Sequence, residues 1–179
     1  TDEKGNVTLT PKSPISEGSH EITYHVLTPS GRESSQSEPL KLVIDATPPI
    51  APTIAPDMTP ETDEGVSRTD NITTNPRPVF NIGALPKGVT PQLVVDGKVV
   101  ATTVSAPDAQ GNVFLTSNNL LGEGQQTFSF NYKDAAGNVS ANSPALSVTI
   151  LREAIIAELA KPEMTPETDT GISNSDAKT

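Results

Sequence analysis

The chain has 179 residues, a formal net charge of −10 and no cysteine, and only 3% of it is aromatic. Phosphate binding needs clustered Lys and Arg, which are missing, so nucleic acid is excluded as a partner and an anionic membrane surface is disfavoured. No stretch approaches the roughly 18 apolar residues of a membrane span, and divalent cations are the natural counter-charge.

Seventeen prolines and twelve glycines punctuate short apolar runs, the pattern of an all-β chain. Near the start, His20 and His25 fall five apart on what reads as one strand, hence on opposite faces, which is no zinc pair. The proline-rich "DATPPIAP" (Asp45 to Pro52) favours a stiff, extended backbone. An opening strand is expected at "PTIA" (Pro52 to Ala55). The acidic phrase "DMTPETDEG" (Asp57 to Gly65) has neither strand nor helix pattern, and its one sizeable apolar residue is Met58, so a surface loop without a share in the core is expected. Strands are then predicted at Pro78–Ala84, Asn112–Ser117, Gln126–Lys133 and Ala145–Leu151, with a hairpin over Gln92–Val104 turning at Asp96-Gly97. About seven short strands at this spacing predict an immunoglobulin-like β-sandwich. Its core is expected to hold Phe80, Ile82, Leu93, Val95, Val113, Leu115, Phe128, Phe130, Tyr132, Leu146, Val148 and Ile150. The following "LREAIIAELA" (Leu151 to Ala160) comes nearest to a helical pattern and lacks the prolines of the first linker.

The acidic phrase returns as "EMTPETDTG" (Glu163 to Gly171), placing Asp63 and Asp169 106 positions apart. The same offset relates Gly31 to Gly137, Ser37 to Ser143, Leu40 to Leu146, Ile44 to Ile150 and Asp70 to Asp176. A period of this length is one sandwich domain, not a solenoid unit. The chain therefore reads as a slice of a tandem array: residues 1–49 carry the later strands of one unit, 50–153 a complete unit, and 154–179 a linker and the start of another. A half sandwich exposes strand edges and an apolar face, so residues 1–49 are expected to be unstable alone; the preferred explanation is an excerpt or proteolytic product of a longer chain, and the second is completion of the half domain by another molecule.

Catalysis is not expected. The complete unit has no histidine or cysteine, and no glycine-rich phosphate loop occurs. Asp-x-x-Gly-Asn occurs three times, as "DEKGN" (Asp2 to Asn6), "DAQGN" (Asp108 to Asn112) and "DAAGN" (Asp134 to Asn138), and is first of all good turn chemistry. The cluster Asp57, Glu61, Asp63, Glu64 and Asp70 is less easily dismissed. Carboxylates a few ångströms apart repel by about 1 kcal/mol per pair at the surface, and a hard cation reverses that sign. Calcium takes oxygen ligands in irregular geometry, and Thr59, Thr62 and Thr69 add hydroxyls to the set.

The combination of "VIDATPPIAPT", "MTPETDEGVSRTDNITTNPRPVF", "MTPETDTGISNSD" and "YKDAAGNVS" resembles the bacterial immunoglobulin-like repeats of giant type I-secreted adhesins, the SiiE-like and Bap-like proteins. That resemblance implies a stalk at the bacterial cell surface, supporting adhesion or biofilm formation, with calcium (Ca2+) at the domain junctions. Its partners are neighbouring repeats of the same chain and, through a distal domain, the host-cell surface. Carried over by position, Asp57, Asp63 and Asp70 face Asp45 at one junction, and Glu163, Asp169 and Asp176 face Asp134 at the next. Two departures stand out: Thr28 occupies the position equivalent to Asp134, and Leu151 that of Asp45. The alternative is a repeat that itself binds host glycan or protein, for which Phe114, pointing away from the predicted core, is the candidate contact.

Overall fold

Alternation of apolar and polar residues through the middle of the chain sets two inward faces that can only be buried against each other. The computed structural model describes residue 3 and residues 7–151. Among the described residues the strands are β1 (Gly18–Ile22), β2 (Leu40–Ile44), β3 (Asp57–Met58), β4 (Ile72–Thr73), β5 (Val79–Ala84), β6 (Val89–Val95), β7 (Lys98–Val99), β8 (Thr102–Val104), β9 (Asn112–Ser117), β10 (Gly124–Asp134) and β11 (Leu146–Ile150). From β3 onward they form two sheets, in the orders β4-β11-β10-β6-β7 and β3-β5-β9-β8. β1 and β2 form a separate antiparallel pair.

Eleven of the twelve expected core residues are buried between these sheets; the twelfth, Leu146, is only partly buried and packs against the rest. Phe80 of β5 stacks on Phe128 of β10 across the sheets, ring centroids 4.6 Å apart. Such a pair contributes about 0.5–1.5 kcal/mol beyond its buried area.

Several local expectations are corrected. "PTIA" is not a strand; the opening strand is β3, inside the acidic phrase, and Met58 of that strand is 4% exposed in the core. Its pairing with Phe80 drives Met58 inward. The loop that continues from the phrase ends in β4, which joins β11 in parallel, Thr149 facing Ile72 and Ile150 facing Thr73. The Gln92–Val104 segment is not one hairpin. Asp96 and Gly97 (φ 48° and 76°) do make the expected tight turn, but β7 pairs with β6 for only two residues. The chain then crosses at Val100 and Ala101, so that β8 pairs with β9 in the other sheet. Val100, partly buried against the core, fills the crossing. His20 lies on β1, whereas His25 lies beyond its end.

Strand direction defines two ends of the sandwich. At the linker end β5 and β10 finish and β6 begins; at the far end β6 and β11 finish and β10 begins. The linker itself is seated on the unit. Pro52 and Pro56 are buried, and Pro49, Ile50 and Ile54 line a groove with Ile82, Val89 and Tyr132. A β-bulge in β5 makes room: Gly83 has φ 71°, and a Cβ there would sit 3.3 Å from the Ile54 side chain.

Candidate functional site

At the linker end, β10 runs out into the turn Asp134–Asn138, closed by the main chain of Asp134 and Asn138 (N to O, 3.1 Å). Asp134 Oδ1 accepts from the backbone N–H groups of Gly137 (2.7 Å) and Asn138 (2.8 Å), and its Oδ2 accepts from Asn138 Nδ2 (3.0 Å). Gly137 takes φ 99°, which few L side chains adopt. The Asp108 turn is built the same way: Oδ1 accepts from Gln110 N and Asn112 N, and Oδ2 from Asn112 Nδ2. The turn reading of the Asp-x-x-Gly-Asn pattern therefore holds for both described copies, and Asp2–Asn6 falls largely outside the described residues. Desolvation opposes charge on Asp134 and Asp108. The donors from the paired Asn, side chain and backbone, and from neighbouring backbone N–H groups outweigh it, holding both carboxyls below the ordinary carboxylate range.

Asn138 does a second job. The same Nδ2 donates to the main-chain carbonyl of Asp45 at 3.0 Å. Asp45 lies on the linker just after β2, its Oδ1 accepting from Thr47 N (3.1 Å), and the Thr47 hydroxyl donates to Glu17 Oε1 (2.6 Å). Asp45 and the Asp134 turn thus share the linker end.

The acidic loop lies at the other end. Leu151 N donates to Thr73 O (2.8 Å) and Thr149 N to Asn71 O (2.9 Å), tying the loop to the far end of β11. Its interior is organised by threonines: Thr73 Oγ1 donates to Thr62 O (2.7 Å) and accepts from Glu64 N and Asn75 N. Thr62 Oγ1 accepts from Val79 N (3.0 Å). Inside this frame Asp63 is 1% exposed. Its Oδ2 accepts from Asn71 N (3.1 Å), while its Oδ1 is buried without a hydrogen-bond partner. Buried polar atoms are nearly always paired, and an orphaned carboxylate oxygen points to a bound water or ion. Asp70 is exposed, its Oδ1 accepting from Ile72 N (3.1 Å). Arg68 Nη1 donates to Pro60 O (3.1 Å).

The expected junction of Asp57, Asp63 and Asp70 with Asp45 is therefore not assembled within this unit. Asp63 and Asp70 sit at the far end, Asp45 and Asp134 at the linker end, and Asp57 on β3 opposite Asn81, exposed. Glu163, Asp169 and Asp176 lie outside the described residues. Among the described residues no three acidic or histidine side chains converge as a ready-made metal cage. Asn138 is not among the residues the carboxylate pattern points to; its signal in the sequence is the shared final Asn of the turn pattern. His20 Nε2 meets Ser16 O (2.7 Å) and His25 lies 3.8 Å from Glu33, both at the surface. Phe114 is half-buried, with its backbone N–H bound to Ser105 Oγ (3.0 Å).

Two facing sheets with a parallel edge strand and a mid-chain sheet crossing define an immunoglobulin-like sandwich with acidic loops at both ends. The family model for the bacterial Ig-like domain matches residues 49–150, and the chain belongs to that family. Comparison with curated proteins finds no match. Domains of this family are typically non-catalytic structural units and commonly extracellular or surface-exposed. No helix among the described residues is long and apolar enough to cross a membrane.

Proposed function

We propose that this chain is a stalk repeat of a large bacterial surface adhesin, exported by type I secretion, whose joints are stiffened by calcium and which supports cell adhesion or biofilm formation. The observation that carries the calcium reading is the buried, unpartnered Oδ1 of Asp63, an acceptor left waiting at the far end of the unit. Oxygen donors of carboxylate, carbonyl and threonine type surround the loop, which suits a hard cation.

Strand direction changes which acids share a joint. Ahead of the complete unit, Asp45 and Asp134 form one side; behind it, Asp63 and Asp70 do. Each set is partial, and the neighbouring repeat supplies the rest. By the 106-residue offset, Asp169 and Asp176 hold the Asp63 and Asp70 positions of the next unit, and Glu163 that of Asp57. When bound, the ion contributes positive charge that offsets carboxylate repulsion at the joint. The protein's part is to hold Asp63 through Asn71 N and Asp134 through its turn before the ion arrives.

Extracellular calcium modules bind at about 0.1–1 mM. At tenfold excess over Kd one ion adds about 1.4 kcal/mol to the ordered joint. Calorimetric calcium titration of the whole chain, with small-angle scattering in calcium and in EDTA, tests the reading. Saturable binding and a longer particle in calcium are expected; no heat and superimposable profiles would remove the mechanism.

A further inference from the structure

We infer that the apolar groove at the far end of the complete unit is the seat of the segment that follows it in the chain, residues 152–159, with Ile155 capping Leu120 and Leu151. The groove measures about 280 Å3 and is lined by Pro76, Leu120, Leu121, Glu123, Ile150 and Leu151. Two bonds fix its walls. Leu121 N donates to Pro76 O (2.9 Å), and Leu121 packs against the core while Leu120 is left 72% exposed. Leu151 N donates to Thr73 O (2.8 Å), which sets the point where the chain leaves the unit, beside the groove and with Leu151 46% exposed. A lone exposed leucine is ordinary on a protein surface; two flanking one groove at the exit of the chain make an apolar seat.

The preceding repeat and the segment's own residues point to this occupant. One repeat earlier the same surface carries Pro14, Ile15, Glu17 and Asp45 where Leu120, Leu121, Glu123 and Leu151 stand here. There the linker already lies against it: the Thr47 hydroxyl, just past Asp45, donates to Glu17 Oε1 (2.6 Å). The position of Thr47 is taken here by Glu153, which repels Glu123 instead of donating to it, and the adjacent Arg152 supplies the opposite charge. Pro48 and Pro49 give way to Ala154 and Ile155, which removes the bar to a helix. Leu151, Ile155 and Leu159 then recur every fourth position, one stripe of a helix that starts from a wall of the groove. A helix this short is marginal in water and needs an apolar surface to pack on. Ile155 falls one turn, about 6 Å, beyond Leu151, which places it over the groove that Leu151 shares with Leu120. Apolar burial thus helps to hold the joint behind the unit, whereas the joint ahead of it uses the bond from Asn138 to Asp45.

The test uses the whole chain in EDTA, so that its outcome is separate from the calcium reading. With isoleucine and leucine methyls labelled, nuclear Overhauser contacts from Ile155 to Leu120 are expected. Amide hydrogen exchange at Ala157 and Glu158 should be slower than in Ile155→Asp, on the order of 10-fold. Leu120→Asp, a change at an exposed position, should remove the same protection from the groove side and leave exchange at Phe130 as it was. No contact between Ile155 and Leu120, or equal exchange in the parent and both variants, overturns the proposal. Protection that grows with protein concentration also overturns it, since a second copy then fills the groove.

Discussion

The side-chain amide of Asn138 donates to the main-chain carbonyl of Asp45, 93 positions earlier in the chain, at 3.0 Å. The same amide holds Asp134 Oδ2, so one residue couples the linker to the turn. Asn138→Ala should release both. A net hydrogen bond is worth about 0.5–1.5 kcal/mol, and the expected result is faster backbone motion at Thr47 in 15N relaxation with a modest fall in the melting temperature of the complete unit. Unchanged relaxation at Thr47 would mean that the bond does not restrain the linker.

Acidification should weaken the complete unit through Asp108 and Asp134. Their folded carboxyls lie below the ordinary value of 3.8, so the unfolded chain takes up the proton first. The stabilisation is complete above 3.8 and is lost as pH falls through the lower folded values. Urea midpoints measured between about pH 2 and 6 should fall at the acid end, and the double variant Asp108→Asn, Asp134→Asn should flatten that slope.

Asp63→Asn separates charge from packing. It preserves size and an acceptor for Asn71 N, yet removes a buried charge whose Oδ1 has no partner. Without calcium the variant is expected to be no less stable than the parent. With calcium it should lose the rise in melting temperature expected of the parent. An equal rise in both proteins would place the ion elsewhere.

Ser143→Ala tests the clamp between β10 and the segment leading into β11. The hydroxyl accepts from Phe130 N (3.0 Å) and donates to Pro144 O (2.8 Å), and Ser143 is 7% exposed. Leaving a buried N–H unsatisfied costs about 1–3 kcal/mol, or roughly 4–8 °C per kcal/mol for a unit of this size. Ser37→Ala, at the equivalent but only half-buried position, should cost less, because water can reach the lost partner. Thermal melts of the two variants give the comparison.

Much of this was legible in the residues themselves. Period-two alternation marked β5, β9, β10 and β11 because inward and outward side chains must differ on a half-buried strand. The 106-residue offset exposed the repeat because equivalent positions carry the same packing and turn demands. Asp96-Gly97 announced its turn because few other pairs accept two positive φ angles. Met58 was not legible: a strand of two residues is too short to alternate, and its burial follows only from pairing with Phe80.

The sequence by itself determined the longer strands β5, β9, β10 and β11, most of the inward residues and the self-capped turns, since these depend on neighbours a few positions away and on the chain's own periodicity. Tertiary structure alone decided which acids meet. Each antiparallel return sends a segment to one end of the sandwich or the other, so Asp45 shares the linker end with Asp134 while Asp63 is carried to the opposite end. No local pattern encodes that choice, because it is made by strand direction summed along the whole unit.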